Sequence, residues 1–288
     1  MRIATMGGTA DLLSRHHFTI RKKFGQNFLV DPSKVEGIVD SAELTKEDAV
    51  LEIGPGLGGM TQLLSERAGS VTAVEIDKEL IPILKESLKD CGNVDIVNAD
   101  ILKFDPKAYA EEKGIKSFKV VANLPYYITT PILMHLLEGD APLKSITVMV
   151  QKEVAERMRS GPGTKDYGAL SLAVQYRAKP TTVCTVPPEC FIPRPNVDSA
   201  VVRLDLYETP PVSAADPARM KRIIRAAFNQ RRKTLANALS ADPALGVSRE
   251  AVQQALISMG LDERVRGETL TLERFAELSD RLDSPSSL

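Results

Sequence analysis

The chain has 288 residues, 43% hydrophobic and 26% charged, enough apolar material for one large or two unequal domains. Its net charge of −1 excludes a polycation that coats nucleic acid with its whole surface, so any such contact must come from local clusters. Cys91, Cys184 and Cys190, odd in number and without a C-x-x-C pair, argue for reduced thiols in a cytoplasmic protein and against a disulfide framework or zinc site, and no apolar run is long enough for a signal peptide or membrane span.

Residues 1–20 read as a flexible extension, disordered through Gly8, with one short helix over Thr9–His16. Arg21-Lys22-Lys23-Phe24-Gly25-Gln26-Asn27-Phe28-Leu29 follows. A basic triplet before Gln and Asn suits a loop that faces phosphate and ligand, and equally an ordinary solvated charge run. Asp31-Pro32 predicts a helix start, with the acid as N-cap and proline at the first helical position. Val35, Ile38 and Val39 form that helix's buried face.

From Ala49 to Val150 short apolar runs at 50–53, 71–74, 94–97, 118–122 and 146–150 alternate with helical segments, among them Met60–Ala68, Lys78–Lys89 and Pro131–Leu137. Strand–helix alternation predicts a mostly parallel, doubly wound α/β sheet, with a ligand beyond the carboxyl ends of its strands. The first run breaks into Gly54, Gly56, Gly58 and Gly59 ahead of a helix, the strand–glycine loop–helix of a nucleotide-type site. G-x-G-x-x-G alone suits a dinucleotide as well. The charges separate the two: Glu52 precedes the glycines, Glu75 ends the next strand, Asp100 follows the third, and no Lys or Arg lies between Glu52 and Glu66 to meet a pyrophosphate. Three carboxylates favour S-adenosylmethionine, which carries a sulfonium, an ammonium and no phosphate, over NAD or FAD.

The fourth run ends in Asn123-Leu124-Pro125-Tyr126. As a bare tetrapeptide this is a strand-ending turn. At the end of that strand it also suits methylation of an exocyclic amine. The Asn123 side-chain oxygen and a backbone carbonyl of the Pro125 turn are two acceptors that make the nitrogen pyramidal, and Tyr126 is a surface on which a flipped base stacks. No general base is required, because the proton leaves after methyl transfer. His135 reads as a packed helix residue.

Residues 161–167 form a breaker-rich loop. Thr181–Val186 and Ser199–Leu206 are expected to add an antiparallel hairpin to the sheet. After Tyr207 the linker E-T-P-P-V leads into a wholly helical stretch. Asp216-Pro217 caps a helix with Met220, Ile223, Ile224, Ala227 and Phe228 at helical spacing. Lys221, Arg222 and Arg225, then Arg231-Arg232-Lys233, give it a cationic face suited to phosphate, or simply to solvent. Ser248–Met259 and Leu272–Leu282 complete a helical domain.

These motifs together resemble the ribosomal RNA adenine dimethyltransferases and, more distantly, the Erm resistance methyltransferases. The marks are F-G-Q-N-F-L at 24–29, E-I-G-P-G-L-G at 52–58, E-I-D at 75–77, A-D at 99–100, N-L-P-Y at 123–126, Q-K-E-V-A-E-R at 151–157, F-I-P-R-P-N-V-D-S at 191–199 and F-N-Q-R-R-K-T-L at 228–235. The resemblance implies a Rossmann-like class I methyltransferase domain over 21–207 and a smaller C-terminal all-α, RNA-binding domain over 208–288. It implies cofactor contacts at Gln26, Asn27, Leu29, Gly54, Gly56, Glu75, Asp100 and Asn123, with Glu75 on the ribose and Asp100 on the adenine amino group. Asn123 and Pro125 would hold the target amine, Tyr126 would stack on the base, and Phe191 would approach its other face. Arg21, Lys22, Lys23, Arg222, Arg225, Arg231, Arg232 and Lys233 would meet RNA. The implied activity is dimethylation of N6 on two adjacent adenosines near the 3′ end of small-subunit rRNA, within an immature 30S particle, by a monomer without a metal. The alternatives are an Erm-type enzyme acting on large-subunit rRNA and a non-catalytic assembly factor on the same scaffold.

Overall fold

The short helix expected over Thr9–His16 is present but starts three residues earlier, inside the stretch read as disordered. In the computed structural model, which describes residues 2–21 and 24–283, helix α1 spans Met6–Arg15 and the Thr5 hydroxyl caps it by accepting from Gly8 N–H. Ile3 and Leu12 are buried against Leu57, Leu80, Ile83, Leu84 and Leu88. That apolar contact outweighs the poor helix propensity of Gly7-Gly8.

Strand β1 (Phe28–Leu29) is followed by α2 (Pro32–Ser41), where the Asp31 carboxylate accepts from the N–H groups of Ser33 and Lys34 as expected of an N-cap. Then β2 (Ala49–Ile53), β3 (Ser70–Glu75), β4 (Val94–Asn98), β5 (Phe118–Asn123) and β6 (Leu143–Gln151) alternate with α3 (Gly59–Arg67), α4 (Leu80–Ser87), α5 (Pro106–Lys113) and α6 (Thr129–Glu138). These five strands lie parallel in the order β4-β3-β2-β5-β6. The winding reverses between β2 and β5, where such sheets place their ligands. Val50, Leu51, Val120, Val121, Ile146 and Val148 are wholly buried, as a sheet covered on both faces requires.

After α7 (Lys152–Arg159) and α8 (Ala169–Arg177) come β7 (Ala178–Val186), β8 (Phe191–Ile192) and β9 (Ser199–Leu206). Strand β9 pairs antiparallel with β6, Ser199 opposite Gln151, and β7 closes the edge beside it. Strand β8 instead pairs with β1, Leu29 opposite Phe191, in a separate two-stranded ribbon.

The chain divides into two compact units, Met1–Ala155 with Lys179–Leu206, and Glu156–Ala178 with Tyr207–Leu288. The second is helical, with α9 (Pro217–Asn229), α10 (Leu235–Ser240), α11 (Arg249–Ser258) and α12 (Leu272–Asp283). Residues 156–178, expected in the first domain, belong to it for a packing reason. Tyr167, Leu172 and Tyr176 are buried with Met220, Ile223, Leu256 and Phe275. The Tyr167 hydroxyl also donates to the Leu270 carbonyl at 2.8 Å. Among the described residues no helix is long and apolar enough to cross a membrane.

Candidate cofactor and target-base site

The carboxyl ends of β2, β3, β4 and β5 open on one cleft lined by Gly54, Gly56, Glu52, Glu75, Asp100, Asn123 and Pro125, with Asn27 and Leu29 opposite. The cleft spans about 1140 Å³ of space between atoms, part of it open to solvent. Two of its glycines are required by the backbone. Gly54 has φ +68°, and no atom lies within 4 Å of where a Cβ would stand, so its bare α-carbon faces open cleft. Gly56 has φ +61°, and a Cβ there would meet the Phe28 ring at 3.1 Å. The helix that follows, α3, has Gly58 as its N-cap residue and so no side-chain cap, which leaves its first N–H groups without a capping acceptor.

The acids differ in their surroundings. Glu75 accepts from Asp77 N–H at 2.8 Å and Gly56 N–H at 3.3 Å, yet burial pushes its carboxyl up to about 7. Glu52 is wholly buried and neither of its oxygens has a hydrogen-bond partner. Burial pushes it up to about 8; the Thr61 hydroxyl, which faces it without hydrogen-bond geometry, offsets this only in part, and repulsion from Glu75 adds to the rise. Asp100 turns the chain after β4 by accepting from Leu102 N–H at 3.0 Å.

Asn123 ends β5, and its amide nitrogen donates to the Asn27 carbonyl at 2.9 Å. That bond fixes the amide orientation and leaves its oxygen as an acceptor. The Pro125 carbonyl is occupied, accepting from Ile128 N–H at 3.2 Å and Thr129 Oγ1 at 2.9 Å. The carbonyl one residue earlier in the turn is that of Leu124.

Several expected roles change. Gln26 lines the cleft, but its amide is spent as a brace: the oxygen accepts from Arg21 N–H and the nitrogen donates to Asp77, both at 2.9 Å. Arg21 is turned inward onto Asp77 and Glu79 rather than outward to RNA. Lys22 and Lys23 lie outside the described residues. Tyr126 is half-buried beside the cleft, not among its lining residues, with its hydroxyl 2.5 Å from Ser199 Oγ. Phe191 offers no face to a base. It is 1% exposed, packed in the core with Val35, Val186 and Val201, because its strand pairs with β1 and turns the ring inward.

In the helical unit Arg222 makes a two-point ion pair with Asp242, at 3.2 and 3.0 Å. Arg231 is a clamp rather than a presented cation. It bonds Glu268 at 2.7 Å and the carbonyls of Lys165 and Thr164 at 2.5 and 3.1 Å, pinning the breaker-rich loop. Arg225, Arg232 and Lys233 are exposed.

Sequence reasoning missed several lining residues, among them Ile3, Ala4, Thr9 and Tyr127. Ile3, Ala4 and Thr9 wall the cleft from the N-terminal segment, and nothing in their pattern announces a ligand. Tyr127 also lines it, its ring 3.0 Å from where a Gly25 Cβ would lie; its signal was the second tyrosine after N-L-P-Y.

A family model described as "Ribosomal RNA adenine dimethylase" matches residues 17–284. A protein of Lachnoclostridium phytofermentans called ribosomal RNA small subunit methyltransferase A is 57% identical over 277 residues, 96% of each chain. One of the same name from Alkaliphilus oremlandii is 48% identical over 98% of each. Among solved structures, a dimethyladenosine transferase from Plasmodium falciparum superposes with a TM-score of 0.70 at 27% identity, covering 87% of this chain and 95% of that one. The 23S rRNA methyltransferase ErmE gives 0.63 at 30%, covering 89% and 99%. With a model spanning nearly its whole length, and relatives near half identical across it, the chain belongs to the ribosomal RNA adenine dimethylase family.

Proposed function

We propose that this chain transfers methyl groups from S-adenosylmethionine to N6 of two adjacent adenosines near the 3′ end of small-subunit rRNA, one methyl at a time. It does so as a cytoplasmic monomer acting on an immature 30S subunit. One observation carries the reading: the oriented Asn123 amide opens on the same cleft as Glu75 and Asp100. The small-subunit substrate is supported by relatives of that name at 46–57% identity.

The residues present fit the cofactor. Gly54 leaves a cradle that a Cβ would fill, and three acidic side chains, with no Lys or Arg among the described residues that line the cleft, suit a cationic, phosphate-free ligand. Glu75 would hold the ribose hydroxyls with the lone pairs its two N–H donors leave. Asp100 would accept from the adenine amino group, Asn27 and Leu29 would line the remainder, and Gln26 would act through the Asp77 brace. When bound, the cofactor supplies an electrophilic methyl on a sulfonium centre.

The chain's own part is to present a poor nucleophile. The adenine amine's lone pair is delocalised into the ring. Accepting its two N–H bonds on Asn123 Oδ1 and the Leu124 carbonyl holds the nitrogen pyramidal, with its lone pair toward the methyl. Pro125 keeps that turn rigid. Tyr126 stacks on the extruded base, and the proton leaves after transfer. Arg225, Arg232 and Lys233 supply phosphate contacts that carry no sequence information.

Tritiated-methyl transfer to immature small subunits tests this. Wild type should label 16S rRNA. Asn123→Ala should still bind S-adenosylhomocysteine, weakly or normally, yet lose on the order of 10²-fold in turnover, the usual cost of one preorganised polar group. Wild-type turnover in the variant removes the amine-holding role. Labelling of large-subunit rRNA instead would favour the Erm-type reading that the ErmE likeness supports, and no labelling would favour a binding factor.

A further inference from the structure

We infer that Ser199 is a positioning residue for the target base: strand β9 delivers its hydroxyl to the Tyr126 phenol and thereby fixes the ring plane on which the base stacks. The inference rests on the methyltransferase reading above. The 191–199 motif is otherwise unexplained once Phe191 is in the core, and Ser199 is its last residue.

The geometry is specific. Ser199 is wholly buried, and its Oγ lies 2.5 Å from the Tyr126 hydroxyl. Its backbone is held firmly. Ser199 stands in register with Gln151 on β6, and the preceding Asp198 carbonyl accepts from Lys152 N–H at 3.0 Å. Tyr126, in contrast, opens a single 3₁₀ turn over Tyr126–Ile128, a short element that fixes a side chain poorly on its own. A half-buried phenol needs a hydrogen-bond partner at its polar tip. With one end of the ring on the Pro125 turn and the other on the sheet, both side-chain torsions of Tyr126 are determined. Burial also holds the phenol above its ordinary pKa, so the group stays neutral and able to donate at working pH.

Because many phosphate contacts hold the RNA, loss of the anchor should affect the aim of the base more than its capture. Ser199→Ala and Tyr126→Phe cut the same bond from opposite ends. Methyl transfer to immature small subunits, with kcat and KM resolved, is measured for wild type, both single variants and the double. S-adenosylhomocysteine affinity is measured alongside by calorimetry. Each single variant should lower kcat about tenfold, the scale of one lost hydrogen bond with a stranded hydroxyl. KM for the subunit and affinity for S-adenosylhomocysteine should stay within about twofold, and the double should be no worse than the more impaired single. Losses that multiply in the double, or a Tyr126→Phe enzyme with wild-type kcat, overturn the inference, and the second holds even if Ser199→Ala fails to fold. A wild type that binds no S-adenosylhomocysteine and labels no RNA overturns the underlying reading instead.

Discussion

Replacing Glu52 by glutamine removes an ionisable group from the floor of the cleft while keeping its volume. The carboxyl is wholly buried, lacks a partner on either oxygen, and is pushed from its ordinary 4.5 to about 8. A folded-state value above the unfolded one means the native state holds its proton more tightly. The group therefore costs nothing below pH 4.5. Its cost accumulates as the pH rises from there to about 8, and is complete above that. A rise from 4.5 to about 8 is about 3.5 pK units, and at about 1.4 kcal/mol each the ceiling is on the order of 5 kcal/mol. Water entry and relaxation reduce that to roughly 2–3 kcal/mol. Denaturant unfolding of the cofactor-free proteins at pH 5, 7 and 9 is the assay. Glu52→Gln should match wild type near pH 5 and exceed it by that margin at pH 9. A difference between the two that does not change with pH would refute the reasoning, because a packing effect of the amide has no reason to titrate.

Further tests follow from other residues. Glu75, raised to about 7, must ionise to hold ribose hydroxyls, so S-adenosylmethionine affinity should rise as pH climbs from 6 to 8, by at most about tenfold per unit for one released proton; calorimetry in buffers of different ionisation heat reads that proton. Gly54→Ala places a methyl in the cleft at φ +68°, and should cost about 1–2 kcal/mol of stability and most of the cofactor affinity. The chain has no tryptophan, so Tyr127→Trp creates a lone emitter on the cleft wall whose fluorescence should change when S-adenosylhomocysteine is added. Arg231→Ala leaves Glu268 only the longer pair with Arg266 at 4.0 Å and releases the 164–165 carbonyls from their clamp; it should lower the helical unit's stability by about 1 kcal/mol and speed proteolysis at residues 161–167.

The sheet and its acids were legible because each rests on local pattern. Apolar runs at 50–53 and 118–122 are strands by length, and a glycine cluster directly after a strand can only be a turn at its carboxyl end. The N-cap acids Asp31 and Asp216 were legible for the same reason. What could not be read depends on partners distant in sequence. Phe191 looks like an exposed aromatic beside a proline-rich loop, and only pairing with Leu29 turns it inward. Arg231 looks like its neighbour Arg232, and only the return of Glu268 and the 164–165 carbonyls makes one a clamp and leaves the other exposed. Ile3 carries no periodic signal, since one apolar residue in a short segment has none to give. Residues 156–178 carry a breaker-rich loop that reads as a connector, and their place in the helical unit shows only in the burial of Tyr167, Leu172 and Tyr176.

The ribbon between β1 and β8 has a consequence for synthesis. Leu29 leaves the ribosome long before its cross-strand partner Phe191 has been translated. Until that later segment emerges, β1 lacks its pairing strand, and the loop bearing Asn27 is held from one side, by the Gln26–Asp77 and Asn123–Asn27 bonds.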